Sequence, residues 1–220
     1  MENQAVGTVK RIGVGLAFIS YPILSGFAFF AHTDLLSLEI GVPIGERVAQ
    51  FHNKPFLHFG HFMMLLGVPA LIVVAAKFMS MLREHGAWLG LIGGLMAGFG
   101  AVLLAVDKTA LCLVMSAFDT VPEGDYAALL PGIEALFQFK GYLAVLYLLP
   151  LLPVGFLLQG IGLYRARAVP RWQSVALIAS TFGLIVAAAV DIDLFGLIAT
   201  ALLAIAFFPI GFRFIKGEID

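Results

Sequence analysis

Charge is what this sequence has least of: 12% of its 220 residues are Asp, Glu, Lys or Arg, about half the share found in an average soluble domain. So few polar groups exclude a globule covered by water on all sides. The net charge of -1, without a basic cluster, excludes nucleic acid as a partner. A single cysteine, Cys112, excludes an internal disulfide and any C-x-x-C redox or zinc motif. No G-x-S-x-G, no P-loop and no G-x-G-x-x-G leading into a helix occurs, so the standard signatures of serine hydrolases, nucleotide hydrolases and Rossmann enzymes are missing.

What the chain does have is apolar length, with 61% hydrophobic residues and a mean hydropathy of +1.00. About 20 helical residues cross a hydrocarbon core of about 30 Å, and six windows of that kind are predicted: 12–31, 57–76, 87–106, 142–164, 173–190 and 194–212. The runs are continuous rather than alternating, which favours helices that satisfy their own backbone hydrogen bonds over a barrel. The expectation is an all-α membrane protein, one transmembrane helical domain over residues 1–220 in a lipid bilayer. Lys10 and Arg11 precede the first run, which is too long for a signal-peptide core and has no A-x-A-like site after it; an uncleaved first helix is expected.

Assigning the connections alternately to two sides separates the basic residues. Nine fall with the termini, among them Lys10, Arg11, Arg165, Arg167, Arg171 and Arg213, against Arg47, Lys54, Lys108 and Lys140 on the other side. The positive-inside rule then makes both termini cytoplasmic. The cytoplasmic connections are short, whereas the outer segments 32–56 and 108–141 are long, and long loops with side chains of their own carry function more often than short ones.

The outer segments are also more hydrophobic than connectors need to be. In "DKTALCLVMSAFD" the third run reaches its boundary at Asp107 and stays apolar beyond it, and an apolar stretch likewise precedes the fourth run. With "LLSLEIGVPIGERVAQF" as cover, these extensions read as a small helical cap on the outer face; the alternative is two long, tilted helices. Within the spans, "LLPLLP" is the expected bend. Gly90, Gly94 and Gly98 recur every four residues and mark a face of close helix approach, within the chain or in a homo-oligomer or membrane complex.

Candidate chemistry gathers on the outer side. His58 and His61 share a helix face with Met64 one turn deeper, and His52 and His32 reach the same rim, so these four imidazoles are the candidate metal ligands. Thioethers and Cys112 would favour copper(I). A haem, the lesser candidate, would need His32 paired with His58 or His61, since the later spans contain no histidine. Asp107, Lys108, Glu134 and Lys140, with Asp191 and Asp193 on the final outer turn, form a second constellation able to pair, bind a polar head group or do acid/base work. The middle of each span lacks charge, which counts against ion-coupled transport.

"LLPVGFLLQGIGLYRARAVPRWQSVALI" resembles the helix, basic turn and helix of bacterial multi-helix inner-membrane proteins whose activity is not characterised. The resemblance covers the second half of the chain and implies an inner-membrane location, with no activity to carry over. The sequence therefore leads to an outer-face His/carboxylate/Lys site for a small ligand, a lipid head group or a transition metal, in a binding protein or membrane-bound enzyme. A channel or transporter for a small neutral solute and a structural or assembly subunit are the alternatives.

Overall fold

The computed structural model describes residues 2–219. Six of its helical stretches are long and apolar enough to cross a membrane: Gln4–Phe30, Pro55–Met81, Ala87–Phe118, Glu123–Ala166, Arg171–Val190 and Asp193–Lys216. No strand occurs among the described residues. This is the architecture of a multi-pass helical membrane protein. The elements are α1 (Glu2–Phe30), α2 (Ile44–Phe51), α3 (Pro55–Met81), α4 (Ala87–Lys108), α5 (Val114–Phe118), α6 (Glu123–Phe137), α7 (Leu151–Ala166), α8 (Arg171–Val190) and α9 (Asp193–Lys216).

The long helices close into a ring, in which α1 packs on α3, α3 on α4, α4 on α7, α7 on α8, α8 on α9 and α9 back on α1. Leucine, isoleucine and phenylalanine cover the outside, as at Leu16, Ile23, Leu95 and Ile205. Lipid tails are as apolar as these side chains, so helix association has to come from close packing and interhelical hydrogen bonds. Small residues supply the packing. A methyl group at Gly93 of α4 would lie 2.6 Å from the Gly155 carbonyl oxygen of α7, and one at Gly211 of α9 would lie 2.8 Å from the Gly15 carbonyl oxygen of α1.

Hydrogen bonds add to this packing. The buried Gln159 amide of α7 donates to the Ala75 carbonyl of α3 at 2.9 Å, and Ser25 meets Thr200 at 3.3 Å between α1 and α9. Inside the ring, Phe18, Phe78, Phe156 and Phe207 come together from α1, α3, α7 and α9, with ring centroids 5.1 to 6.4 Å apart.

Gly90 and Gly94 are buried within the chain against Leu82 and Met79, whereas Gly98 faces open space. The period-four stripe is therefore not one face: α4 uses Gly90 and Gly94 toward α3, and Gly93 and Gly100 toward α7. At "LLPLLP", the expected bend, the helix is interrupted. A 3-10 helix, Gly141–Leu148, gives way at Leu149 and Pro150 to the α-helix of α7. The proline ring cannot supply the N–H that would continue the ladder. Pro22, Pro69 and Pro209 stay inside α1, α3 and α9.

Both termini lie at one end of the bundle, where the Arg11 guanidinium packs against Gly217. At the opposite end α4 continues through a π-helical turn, Thr109–Leu113, into α5. The two short helices α2 and α6 pack on each other beside this extension. Val48, Phe51, Leu57, Cys112, Met115, Tyr126, Ile133 and Phe137 form a second hydrophobic cluster there, separate from the main core. The apolar residues beyond Asp107 are thus buried in a small core of their own.

If the α4–α7 approach holds the ring together, Gly155→Ala pushes a methyl into the backbone of Gly93 and Ala97 and costs about 1–3 kcal/mol. Gly98→Ala, directed at open space, stays within about 0.5 kcal/mol of the parent. Thermal unfolding of the two variants in detergent measures the difference.

Candidate functional site

The polar groups of the far end divide into two hydrogen-bonded sets beside the second hydrophobic cluster. The first begins at Asp193, the opening residue of α9, whose carboxylate lies 2.7 Å from His32 Nδ1, just past the end of α1. His32 Nε2 lies 2.7 Å from His61 Nε2 of α3, and His61 Nδ1 contacts the Cys112 sulfur in the π-helical turn. With both imidazoles neutral, one assignment satisfies every contact. A carboxylate only accepts, so His32 Nδ1 donates to Asp193; His32 Nε2 then accepts from His61 Nε2, and His61 Nδ1 accepts from the Cys112 thiol. Residues far apart in sequence thus form one directed chain from a half-exposed carboxylate to a fully buried thiol.

The second set centres on Asp119, just after α5. Its two carboxylate oxygens accept from His52 Nδ1 at 3.0 Å, from His58 Nε2 at 2.9 Å and from the Asn53 backbone N–H at 3.0 Å. The Asn53 amide closes the network on His52 Nε2 at 2.9 Å, and the Tyr126 ring stacks on the His52 imidazole at 3.9 Å. Asp119 therefore ties α5 to the loop between α2 and α3 and to the first turn of α3. A cavity of about 450 Å³ opens beside it, lined by Asn53, His58, Ser116 and Asp119 on its polar side and by Pro55, Phe59, Phe62 and Leu113 on its apolar side.

The four candidate metal-ligating histidines therefore gather at one end, with His32 and His61 in the first set and His52 and His58 in the second. The fifth, His85, is exposed in the turn between α3 and α4. Asp107 is buried at 4% exposure and pairs with Lys108 at 2.9 Å. Lys108 lies close enough to Cys112, Asp193 and His61 to interact with them electrostatically. Glu134 is half-buried and Lys140 exposed, and neither pairs with a charged side chain among the described residues. Met64 is buried in the main core.

Of the acids that contribute, Asp34 was not singled out by sequence reasoning, and Asp119 and Asp193 were placed at the outer boundary without their histidine partners. All three lie among ten acids of the outer segments; Asp34 follows His32 by two residues, whereas Asp119 and Asp193 lie far in sequence from their histidines. The only signal was position, since Asp193 opens a span beside Asp191 and Asp119 closes the apolar extension. His32, Asp34 and Asp193, all half-buried, present one ligand atom each within 4.8 Å of one another, a grouping that can hold a metal ion. No protein family, curated protein or solved structure matches this chain.

Removing the Asp119 carboxylate leaves His58 without its buried acceptor. Asp119→Ala is expected to destabilise the far end by about 2 kcal/mol, seen as faster hydrogen exchange in α2 while the ring helices keep their protection. Cys112, completely buried, should resist a polar maleimide in the folded protein and react fully once the protein is denatured.

Proposed function

We propose that this is an integral membrane protein that binds a divalent transition-metal ion at its outer face, with both termini in the cytoplasm of a bacterial cell. The observation that carries the reading is the convergence of His32, Asp34 and Asp193 on one point. One imidazole nitrogen and two carboxylates suit zinc, manganese or iron(II), and two carboxylates balance the charge of a divalent ion. The sequence alone had allowed copper(I), but Met64 belongs to the main core and Cys112 faces His61, so neither soft donor belongs to this grouping.

His61 supports the reading from below. A metal-bound histidine donates from its other nitrogen to a partner; with an ion in place of the proton on the nitrogen that faces Asp193, His32 Nε2–H would donate to His61 Nε2, the reverse of the metal-free direction, with Cys112 beyond it. The second hydrophobic cluster acts as the outer cap, fixing the loop from His32 onward over the ends of α1 and α9. The Asp107–Lys108 pair, buried where the span meets the cap, adds a fixed positive and negative charge beneath the site.

A second reading has its own support, in the cavity beside Asp119. It is polar toward the rim and lined by Phe59 and Phe62 below, a gradient that suits a small amphiphilic ligand. A channel for a neutral solute is disfavoured by the phenylalanines that fill the ring interior. The structural-subunit reading loses one of its supports, because Gly90 and Gly94 are covered within the chain.

Elemental analysis of the purified protein in detergent, after loading with zinc, manganese or iron(II) and removal of excess, tests the metal reading. The expected result is about one equivalent of one metal, lost in His32→Ala and Asp193→Asn, and bound about 10- to 100-fold more weakly in His61→Ala. No retained metal in the parent, or retention unchanged in His32→Ala, would sink it.

A further inference from the structure

At the end that bears the termini, a cavity of about 750 Å³ lies between the α7–α8 turn and the last turns of α9, lined by Arg167, Ala168, Val169, Pro170, Arg171 and Arg213. Three guanidinium-bearing residues from two separate parts of the chain thus border one cleft. The acid beside them is Glu218, whose carboxylate is 3.8 Å from Arg213 Nε, with both side chains well exposed. Among the described residues that loose pair is the one ion pair at the cleft, which leaves it positive.

Two features distinguish these arginines from ordinary exposed ones. Arg171 lies over the Tyr164 ring at 5.3 Å, which stacks its planar head at the cleft wall. Arg167 ends α7 in the left-handed conformation at φ 53°. Glycine meets that requirement without steric cost, as Gly217 does at the end of α9. An arginine there accepts backbone strain in exchange for a guanidinium at the cleft. Exposed Trp172 and Tyr164 flank the turn, and such rings sit at head-group depth in a bilayer.

We infer that this cleft binds the phosphate head group of an anionic lipid from the leaflet at the termini end, the acyl chains running down the apolar outside of α7 and α8. Phosphate oxygens accept paired N–H groups from guanidinium forks, and basic pockets between spans at head-group level suit such lipids. The inference concerns the opposite end of the molecule from the metal site and stands independently of it.

The test uses the full-length protein in phosphatidylcholine nanodiscs doped with phosphatidylglycerol, reading bound lipid by native mass spectrometry on release into detergent. Phosphatidylglycerol should be retained in preference to phosphatidylcholine, and Arg171→Gln and Arg213→Gln should each weaken retention about fivefold. Arg167→Gly, which relieves the backbone strain, should weaken it similarly while unfolding in pure phosphatidylcholine at a temperature no lower than the parent's. Arg165→Gln, two residues before Arg167 but outside the cleft, should change nothing.

Equal retention of the two lipids would overturn the inference. Equal losses in Arg165→Gln and Arg167→Gly would replace the cleft with diffuse surface charge, and displacement of the lipid by inorganic phosphate alone would make the ligand a free anion. Metal content should be unchanged in all four variants, so failure here and failure of the metal reading remain separate results.

Discussion

The ring depends on the approach of α4 to α7, where Gly93 and Ala97 face Gly155 without large side chains between the backbones and Gly100 lies against Leu152. This contact joins the part of the bundle built from α1, α3 and α4 to the part built from α7, α8 and α9. In lipid there is no hydrophobic force to draw two apolar helices together, so dispersion over a close contact must do it, helped by polar side chains that find partners. Gln159, on the same stretch of α7, reaches the carbonyl of Ala75 on α3. The same few residues therefore set both the distance between the two halves and their register.

That register reaches the far end because α4 runs on, through the π-helical turn, into α5. The position of Cys112 under His61 and of Asp119 beside His58 follows from how α4 seats against its neighbours. The polar sets are supported from the opposite side by α2 and α6, whose Val48, Phe51, Tyr126, Ile133 and Phe137 bury the apolar side of the extension. The four imidazoles there are paired with Asp119, with Asp193 or with each other. Groups at the edge of a hydrocarbon layer otherwise lose hydration without replacing it, and this constraint alone accounts for much of the geometry.

The bundle was legible in the sequence because length and hydropathy speak directly to membrane crossing. The six runs, the change of helix type at Pro150 and the separate burial of the residues beyond Asp107 all follow from local composition. The histidines were legible as a group, since four of five fall near one boundary. Their partners were not. Asp193 meets His32 across most of the chain length, and Asp119 meets His52 and His58 through a fold-back that no periodicity encodes. The stripe of Gly90, Gly94 and Gly98 misled in detail, because glycine spacing marks small residues but does not say which helix lies opposite each one.

The π-helical turn gives chain length a part in the site. Val114 donates its N–H back to the Thr109 carbonyl, five residues earlier, so the helix carries one residue more than an α-helical turn would hold. Each residue turns a helix by about 100°. Loss of that single residue, whatever its identity, would swing everything from Val114 onward about a quarter-turn round the axis. Met115 would leave the second core and Asp119 would face away from both imidazoles. The two hydrogen-bonded sets are therefore defined by a count of residues as well as by their chemistry, and an insertion or deletion in this turn would disperse an arrangement that conservative substitutions there leave in place.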